Sequence, residues 1–406
     1  MCVSTGAYAG GYRVALQGQN ALGMGHTGVA VTESAETVFF NPAGMSFLES
    51  NMSVVAGATL IDGVTKYQNH ESNVAAETDN PIGTPVNFYI TKKLAEDASV
   101  GIGLYTPYGN TVEWEKDWAG SHLVNKIELK TIYIQPTLSV KVNDKLSIGW
   151  GPTYVTGDVE FNRNLSSAIS DANGDRANVT VNAEGIDAWG FNAGLLAQPV
   201  EKLSIGVSYR SKVELKARDE KADFESIPAT MEGGFFDTTF DADLVLPAEL
   251  TVGVSYKFNS AIMFAFDMNR TYWGEYENLD LQFNNAAGES FNPRNYEDAN
   301  IYRIGVQYSI NNDLIVRAGA YLDQSPIRDG YYTPETARND SIGYTAGASY
   351  NVTNNMALDF SLLILTFDEF NGSYDHVSDP SSSITTFGGD YKSSVAAVGF
   401  GLNYNY

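Results

Sequence analysis

The sequence is poor in cysteine and in positive charge. Among 406 residues there is one cysteine, and 25 lysines and arginines stand against 49 aspartates and glutamates, giving a formal net charge of −24. A single cysteine excludes a framework of internal disulfides. The negative charge argues against a nucleic-acid partner, because the chain would repel phosphate groups.

Long apolar segments are also missing. No window of about 18 residues is predominantly apolar, which argues against a transmembrane helix. The longest dense apolar run, FSLLILTF at 360–367, has the length of a strand. If this chain spans a membrane, it has to do so as a closed barrel, since only helices and barrels satisfy all their backbone groups in lipid.

The first residues, MCVSTGAYA, end in a small-residue pattern typical of signal-peptide cleavage. A basic segment and most of an apolar segment are absent, so we interpret residues 1–9 as the remnant of a signal peptide. An ordinary flexible N-terminus and a lipid-modified Cys2 are the alternatives. Cleavage after Ala9 would leave a mature chain without cysteine, as suits an exported barrel that needs no disulfide.

What the sequence does have, from about residue 52 onward, is period-two alternation of apolar with polar or small residues. In IYRIGVQYSI at 301–310, the apolar residues share one face and Arg303 lies on the other. This pattern leaves two architectures open: a soluble sandwich with a buried apolar face, or an outer-membrane barrel whose apolar face meets lipid.

Connection lengths favour the barrel. Tight connections such as NDK and TNN alternate with long ones, and short turns on one rim with long loops on the other are typical of outer-membrane barrels. We predict an all-β fold, an antiparallel transmembrane β-barrel of about fourteen strands over residues 52–406, with a β-helix or a large sandwich as alternatives. The predicted strands are 52–61, 85–93, 98–106, 124–142, 145–163, 186–199, 203–218, 244–257, 261–283, 299–310, 313–324, 340–351, 355–368 and 391–406.

Residues 10–51 lack this alternation and precede the first predicted strand. A barrel of about fourteen strands has a lumen too wide for its own side chains to fill, so a compact N-terminal segment can occupy it. Within that segment, Asn41 has the chemistry to cap a short helix whose first turn accepts Pro42. An ordinary turn is the alternative reading of these two residues.

The stretch ALGMGHTGVAVTESAETVFFNPAGM at 21–45 resembles the N-terminal hatch motif of the long-chain fatty-acid transporter (FadL/TodX-type) family of outer-membrane proteins. The resemblance runs nearly end to end. It implies a barrel of fourteen strands plugged by a small hatch, passive uptake of long-chain fatty acids or similar lipids and hydrocarbons, and sideways exit through an inward kink in the third strand. Further similar segments are YTPYGN at 105–110, SYRSKVEL at 208–215, LPAELTVGVSY at 246–256, YRIGVQY at 302–308 and RAGAYLDQSPI at 317–327. The expected hatch core comprises Phe39, Phe40, Asn41, Pro42, Ala43 and Met45.

The third predicted strand, SVGIGLYTPYGN, carries residues suited to such an exit. Pro107 cannot donate to a strand ladder, and the neighbouring glycines permit a bend. We predict a lateral gate at Gly103, Pro107 and Gly109. The alternative is that Pro107 merely starts an external loop.

Several cations are predicted to face the lumen. By alternation, the even-numbered residues of 203–218 point inward. The candidates for binding a substrate carboxylate are Arg210, Lys212, Arg303 and Arg317. The alternative is structural pairing with inner acids such as Asp267, Asp323 and Asp359, which would make a neutral hydrocarbon the better substrate. The basic positions that contact carboxylate elsewhere in the family do not align securely here.

The predicted loop 219–243 is the most apolar of the long connections, and its side chains would be costly to expose to water. In the family, the third and fourth loops form an external capture groove. Here the third loop, 164–185, is short and polar, which argues against a large capture site, and packing of the loop residues on one another is the alternative. The candidate capture residues are Phe224, Met231, Phe235, Phe236 and Phe240.

Two other functions are weaker hypotheses. A diffusion porin for small hydrophilic solutes would need no apolar hatch, and a lipid-modifying enzyme would need a nucleophile motif that none of the four histidines accompanies. We predict no catalytic residues, no metal site, no cofactor and no nucleic-acid partner; without EF-hand spacing, acidic loops would hold Ca²⁺ only loosely. The expected partners are a hydrophobic small molecule and outer-membrane lipid. The protein is expected to be a monomer in the bacterial outer membrane, with both termini periplasmic.

Overall fold

A computed structural model describes residues 11–70, 72–336, 338–378 and 384–406. The predicted signal-peptide remnant, residues 1–9, lies outside the described residues. Within the described chain, one antiparallel sheet closes on itself, because each long strand pairs with the next and the last pairs with the first. The prediction of an all-β barrel of fourteen strands is confirmed.

Fourteen strands of the described chain form the barrel wall, and three of them are interrupted once. They are β1 (Met52–Gln68), β2 (Val86–Ala95), β3 (Ala98–Tyr105 and Gly109–Glu113), β4 (Lys126–Asn143), β5 (Leu146–Asn164), β6 (Asn178–Val200), β7 (Leu203–Arg210 and Val213–Glu225), β8 (Thr238–Leu246 and Glu249–Lys257), β9 (Ile262–Thr271), β10 (Ala299–Ser309), β11 (Leu314–Asp323), β12 (Ser341–Thr353), β13 (Met356–Phe367) and β14 (Phe387–Asn405). Short strands in the long connections are Ala75–Glu77, Leu281–Phe283, Glu289–Ser290 and Phe370–Tyr374, and a 3₁₀ turn spans Trp273–Glu275.

The apolar face of the wall looks outward. Along β13, Ile364 is 59% exposed while its inward-facing neighbours Leu363 and Leu365 are buried, and Phe400 on β14 is 56% exposed. Inward positions of the same strands hold polar residues such as Asp359 and Ser361, which are buried in the lumen. Large apolar side chains on the outside and polar ones inside suit a barrel surrounded by lipid.

The two rims of the barrel differ. Short turns connect strands at one rim, the turn end, for example around residues 144–145 between β4 and β5. Long connections lie at the other rim, the loop end. Within the described part of the chain, no helix has the length and apolar character needed to cross a membrane.

Residues 11–51, called the hatch from here on, lie inside the barrel towards the turn end. The hatch contains α1 (Gln19–Gly23), α2 (Thr37–Phe40) and a 3₁₀ turn, Pro42–Phe47. Helices this short are not stable alone. The hatch therefore keeps its shape through its contacts with the wall, where Ser139, Ser147 and Ser255 donate hydrogen bonds to hatch carbonyl groups.

Some strand limits differ from the sequence prediction. β6 begins at Asn178 rather than near residue 186, and β8 begins at Thr238 rather than near 244, because these strands extend towards the loop end beyond the part with clear alternation. β9 ends at Thr271 rather than near 283, since a 3₁₀ turn follows it. The third and fourth loops are thus shorter than predicted.

Candidate transport site

Asn41 connects the centre of the hatch to the wall. Its Nδ2 donates to the carbonyl oxygens of Val29, at 2.9 Å, and of Leu195 on β6, at 3.1 Å. Its Oδ1 accepts from the backbone N–H of Ala43, at 3.1 Å, at the start of the 3₁₀ turn, where Pro42 fits because no N–H is needed. The side chain thus caps a turn within the hatch and fixes that turn to the barrel.

The wall is shaped to let the hatch backbone approach. The carbonyl of Ala43 accepts hydrogen bonds from Ser139 Oγ on β4, at 3.1 Å, and from Ser147 Oγ on β5, at 2.7 Å. β-Carbons placed on Gly149 and Gly194 would lie 2.4 and 2.1 Å from hatch atoms. Sequence reasoning missed these glycines, although alternation places both on the inner face of their strands.

Aromatic side chains of the hatch pack against β3. The Phe39 ring centroid lies 4.8 Å from that of Phe40 and 4.9 Å from that of Tyr105. Met45 is buried under β3, where a β-carbon on Gly101 would lie 2.6 Å from its sulfur. The structure therefore brings the residues expected to form the hatch core together in one packed unit.

An apolar cavity lies on the loop side of the hatch. Tyr12 of the hatch lines it, and the Tyr12 hydroxyl donates to the carbonyl of Val245 on β8. The one arginine among its described lining residues, Arg294, is paired with the one glutamate, Glu335, at 2.6 Å between Nη2 and Oε1. An enclosed surface of this kind suits an apolar guest. The apolar wall includes Ile127, Leu129, Val159, Phe161, Val181, Ala183, Leu215, Ala217 and Phe240.

A polar cavity lies beside the hatch. One of its arginines, Arg13, is paired, with Nη2 at 3.1 Å from Asp323 and Nη1 at 3.6 Å from Glu249. Arg210 on β7 has no ion pair among the described residues. Its Nη2 donates to the carbonyl of Phe39 at 3.1 Å, and its buried Nε and Nη1 have no hydrogen-bond partner in the described chain. Unused donors on a buried cation are costly unless an anion accepts from them.

β3 breaks where a lateral gate was predicted. Between its two segments the hatch runs alongside it: the N–H of Val14 donates to the carbonyl of Pro107 at 2.8 Å, and the N–H of Gly109 donates to the carbonyl of Tyr12 at 2.9 Å. A β-carbon on Gly103 would lie 3.0 Å from a hatch side chain. The three predicted gate residues therefore lie at the break and beside the hatch.

The wall is incomplete on the other side of this break. Backbone pairing between β2 and β3 continues as far as Phe88 opposite Leu104. Towards the loop end, the next paired residues are Thr78 and Trp114. All of residues 105–112 are described, and none of them pairs with the β2 side in between. Backbone that leaves the ladder in this way is tolerated where protein shields it from lipid, and here the hatch does so.

The whole chain, residues 1–406, matches the model of a family described as outer membrane protein transport protein (OMPP1/FadL/TodX). The chain belongs to this family. Outer membrane protein P1 of Haemophilus influenzae is 24% identical over 447 aligned residues, covering 99% of this chain and 96% of the relative. The long-chain fatty acid transport protein of Escherichia coli strain K12 is 22% identical over 446 residues, covering 100% and 96%.

Solved structures of OMPP1/FadL/TodX proteins share the fold. A Pseudomonas aeruginosa FadL homologue matches with a TM-score of 0.84 at 18% identity, covering 97% of this chain and 99% of that one. The Pseudomonas putida toluene transporter TodX matches with a TM-score of 0.72 at 18% identity, covering 98% and 99%. This FadL/TodX-type chain is therefore an outer-membrane transport protein, and the resemblance noted in the sequence is confirmed.

One of the four predicted carboxylate-binding cations is misplaced: the expectation that Lys212 faces the lumen is wrong. Lys212 Nζ lies 2.8 Å from Glu275 and 3.1 Å from Glu214, away from both cavities. β7 is interrupted between Arg210 and Val213, and both of these residues are buried towards the lumen. An irregularity of this kind moves every later side chain to the opposite face, which a count by twos does not detect.

The other predicted cations occupy two places in the FadL/TodX barrel. Arg303 lines the polar cavity together with Arg210. Arg317 lies on the turn side of the hatch, where Nε donates to Gln307 Oε1 at 2.7 Å and Nη1 donates to Ser349 Oγ at 2.6 Å. Two of the four therefore share one cavity, and the Nε and Nη1 of Arg210 are buried there without a hydrogen-bond partner among the described residues.

The predicted capture residues lie in different environments, some buried and one exposed. Phe224 and Phe240 belong to strands β7 and β8 and are buried, with Phe240 lining the apolar cavity. Phe235 packs against Phe224, with ring centroids 6.1 Å apart, and Met231 is half-buried. Phe236 is 52% exposed and is the member of the set displayed to solvent.

Proposed function

We propose that the protein is a passive channel for hydrophobic molecules that carry a carboxylate, of the long-chain fatty-acid class. The observation that carries this proposal is the pairing of an apolar cavity with a second cavity in which Arg210 has unused donors. The loop end faces the exterior, and the turn end, where β14 ends, faces the periplasm. The hatch fills the lumen, which argues against an open porin for hydrophilic solutes.

The proposed route leads from the apolar cavity past the hatch segment that carries Tyr12, and then to Arg210. The Tyr12 and Tyr108 rings, whose centroids are 6.1 Å apart, stand between the two cavities. The molecule leaves sideways through the break in β3. Exit requires the hatch to release Pro107 and Gly109, which it holds through backbone hydrogen bonds.

A neutral aromatic hydrocarbon is the second candidate substrate. The apolar cavity supports it, because Arg294 there is already paired with Glu335 and needs no anion. The similar structures include a toluene transporter, whereas the similar sequences include long-chain fatty acid transport proteins. Arg210 favours the carboxylate, since a charge-assisted hydrogen bond supplies what its Nε and Nη1 lack.

Binding measurements with purified protein in detergent test the proposal. Calorimetry with a long-chain fatty acid and with the fatty alcohol of equal length is applied to wild type, Arg210→Ala and the control Arg317→Ala. Arg210→Ala is expected to weaken fatty-acid binding by about tenfold or more, since a hydrogen bond to a charged group contributes about 1.5–3 kcal/mol. Binding of the alcohol is expected to be unchanged, and Arg317→Ala is expected to leave both affinities at the wild-type level.

Two outcomes would contradict the carboxylate proposal. If Arg210→Ala binds the fatty acid as well as wild type does, Arg210 is not the carboxylate site. If toluene binds and the fatty acid does not, the neutral hydrocarbon is the substrate class.

A further inference from the structure

β6 and β7 separate from each other in the loop-side half of the barrel. They are paired from Val200 opposite Leu203 to Asn192 opposite Arg210, and again from Asn182 opposite Lys221 to the ends of both strands. Residues 183–190 of β6 and 212–220 of β7 are all described, and no backbone hydrogen bond joins these two stretches. We call this opening in the ladder the side gap.

Backbone irregularities frame the side gap at both ends. At its far end β6 bulges at Gly185, whose φ is 64°, and β7 bulges near Asp219, whose φ is 55°. At its near end β7 is interrupted at Ser211, whose N–H donates to the Phe191 carbonyl and whose Oγ accepts from the Phe191 N–H. Bulges re-aim strands and end their pairing, so the separation is built into both strands.

Aliphatic side chains close the side gap. A β-carbon on Gly190 would lie 2.8 Å from Val213 Cγ2, and one on Gly157 of β5 would lie 2.8 Å from Leu215 Cδ1. Leu215 and Ala183, from opposite edges of the gap, also line the apolar cavity. Side-chain motion would thus connect that cavity to the outer surface without breaking a strand ladder.

The side gap begins at the level of outward aromatic residues. Trp189 is 68% exposed, and its ring centroid lies 5.2 Å from that of Tyr154 on β5. Exposed aromatics of this kind mark the membrane interface of a barrel. The gap therefore extends from this interface towards the loop end, at the depth of lipid head groups.

On the β7 side, charged residues of both signs line the outer edge of the side gap. Lys212, Lys216 and Arg218 lie on the face of β7 that points away from the cavity, each within ion-pair distance of an acid. Such exposed pairs are weak and exchange partners readily. An anionic head group can therefore replace one of these acids as a partner while an apolar tail passes between Val213 and Gly190.

We propose that the side gap is a lateral entrance, through which a fatty acid or similar anionic amphiphile already dissolved in the outer leaflet passes directly into the apolar cavity. The inference rests on the proposed function. It adds a source for the substrate, the membrane itself rather than the water above the loops, and it places this entrance on a different pair of strands from the exit at β3.

A reversible bridge across the side gap tests this. In a Cys2→Ser background, Gly190→Cys with Val213→Cys places a sulfur close enough for a disulfide, in which β-carbons are about 3.5–4.5 Å apart. The control pair, Leu195→Cys with Val207→Cys, bridges the same strands where they are already paired. Each protein is placed in vesicles whose outer leaflet is loaded with labelled fatty acid, and uptake is measured before and after reduction.

If the side gap is the entrance, the oxidised Gly190–Val213 variant loses uptake and reduction restores it, while the control pair transports in both states. Equilibrium binding of the fatty acid in detergent is expected to persist in the oxidised variant, because the cavity itself is intact. Leu215→Ala, which removes a closing side chain, is expected to speed initial uptake.

Undiminished uptake by the oxidised variant, or slower uptake by Leu215→Ala, would overturn the entrance and direct the substrate through the loops. Failure of the unmodified protein to bind or transport any fatty acid would instead overturn the proposed function, and the entrance with it.

Discussion

Removing the Asn41 side chain is expected to loosen the hatch without disturbing the barrel wall. In Asn41→Ala the 3₁₀ turn loses its cap, which costs about 1 kcal/mol. The buried carbonyl groups of Val29 and Leu195 also lose their amide donor. At about 1 kcal/mol for each lost hydrogen bond, the three losses total about 3 kcal/mol, or roughly a hundredfold in the equilibrium between docked and released hatch.

Hydrogen exchange of the purified protein in detergent measures this directly. Amides in the hatch turn after Asn41 are expected to exchange roughly a hundredfold faster in Asn41→Ala. Those of β10 to β13 are expected to keep their wild-type rates. Ser46→Ala removes the hydroxyl that accepts from Ser139 Oγ and donates to the Ala43 carbonyl. It is a graded control and is expected to give a smaller change, because Ser139 keeps its hydrogen bond to Ala43.

Asn41→Asp separates the two roles of the side chain. Aspartate keeps the acceptor for the Ala43 N–H but turns a carboxylate oxygen towards the carbonyls of Val29 and Leu195, so it is expected to loosen the hatch at least as much as alanine does. Wild-type exchange in the hatch of either Asn41 variant would refute the reasoning, since it would mean that these hydrogen bonds do not hold the hatch.

Two further predictions concern the hatch. Burial, and then the nearby Asp359 carboxylate, raise the pKa of Glu36 from 4.5 to about 7. The docked hatch therefore prefers protonated Glu36, so this contribution to hatch stability is fully present below about pH 4.5 and declines as the pH rises through 7. Hydrogen exchange at pH 5 and 8 should show a less protected hatch at pH 8. Glu36→Gln should abolish this difference in protection. Gly103→Val places a branched side chain against Val38, which lies 3.0 Å from the position of the β-carbon. This variant is expected to displace the hatch from β3 and alter fatty-acid uptake, whereas Gly233→Val in an open loop is expected to have no effect. Equal uptake by the two variants would refute the contact.

The barrel was predictable because its outward face is chemically uniform. Along β10 to β13 most outward residues are apolar, so the period-two count places both faces and the strand ends to within a few residues. The count fails in β7 beyond Arg210. There an interruption moves Lys212 to the outside, and nothing in the residue types marks the extra residue.

The site was predictable only where a local motif specifies it. Asn41 and Pro42 indicate a capped turn, because an Asn side chain can cap a helical turn and Pro fits its first position. Pro107 indicates a break in its strand, because it cannot donate to the ladder. The unused donors of Arg210 could not be foreseen, because they depend on which groups from distant strands surround the side chain. The pairing of Tyr12 with Gly109 also joins residues too far apart in the chain for local patterns to connect.

Filling the apolar cavity tests the central claim most directly. Val181→Trp adds a large ring on the inner face of β6, and Leu195→Trp adds the same ring on the lipid-facing side of that strand, where Leu195 is 41% exposed. The measurement is the initial rate of labelled fatty-acid uptake into vesicles that carry each variant. We predict that Val181→Trp loses uptake and Leu195→Trp keeps it; equal rates in the two would contradict passage through the cavity.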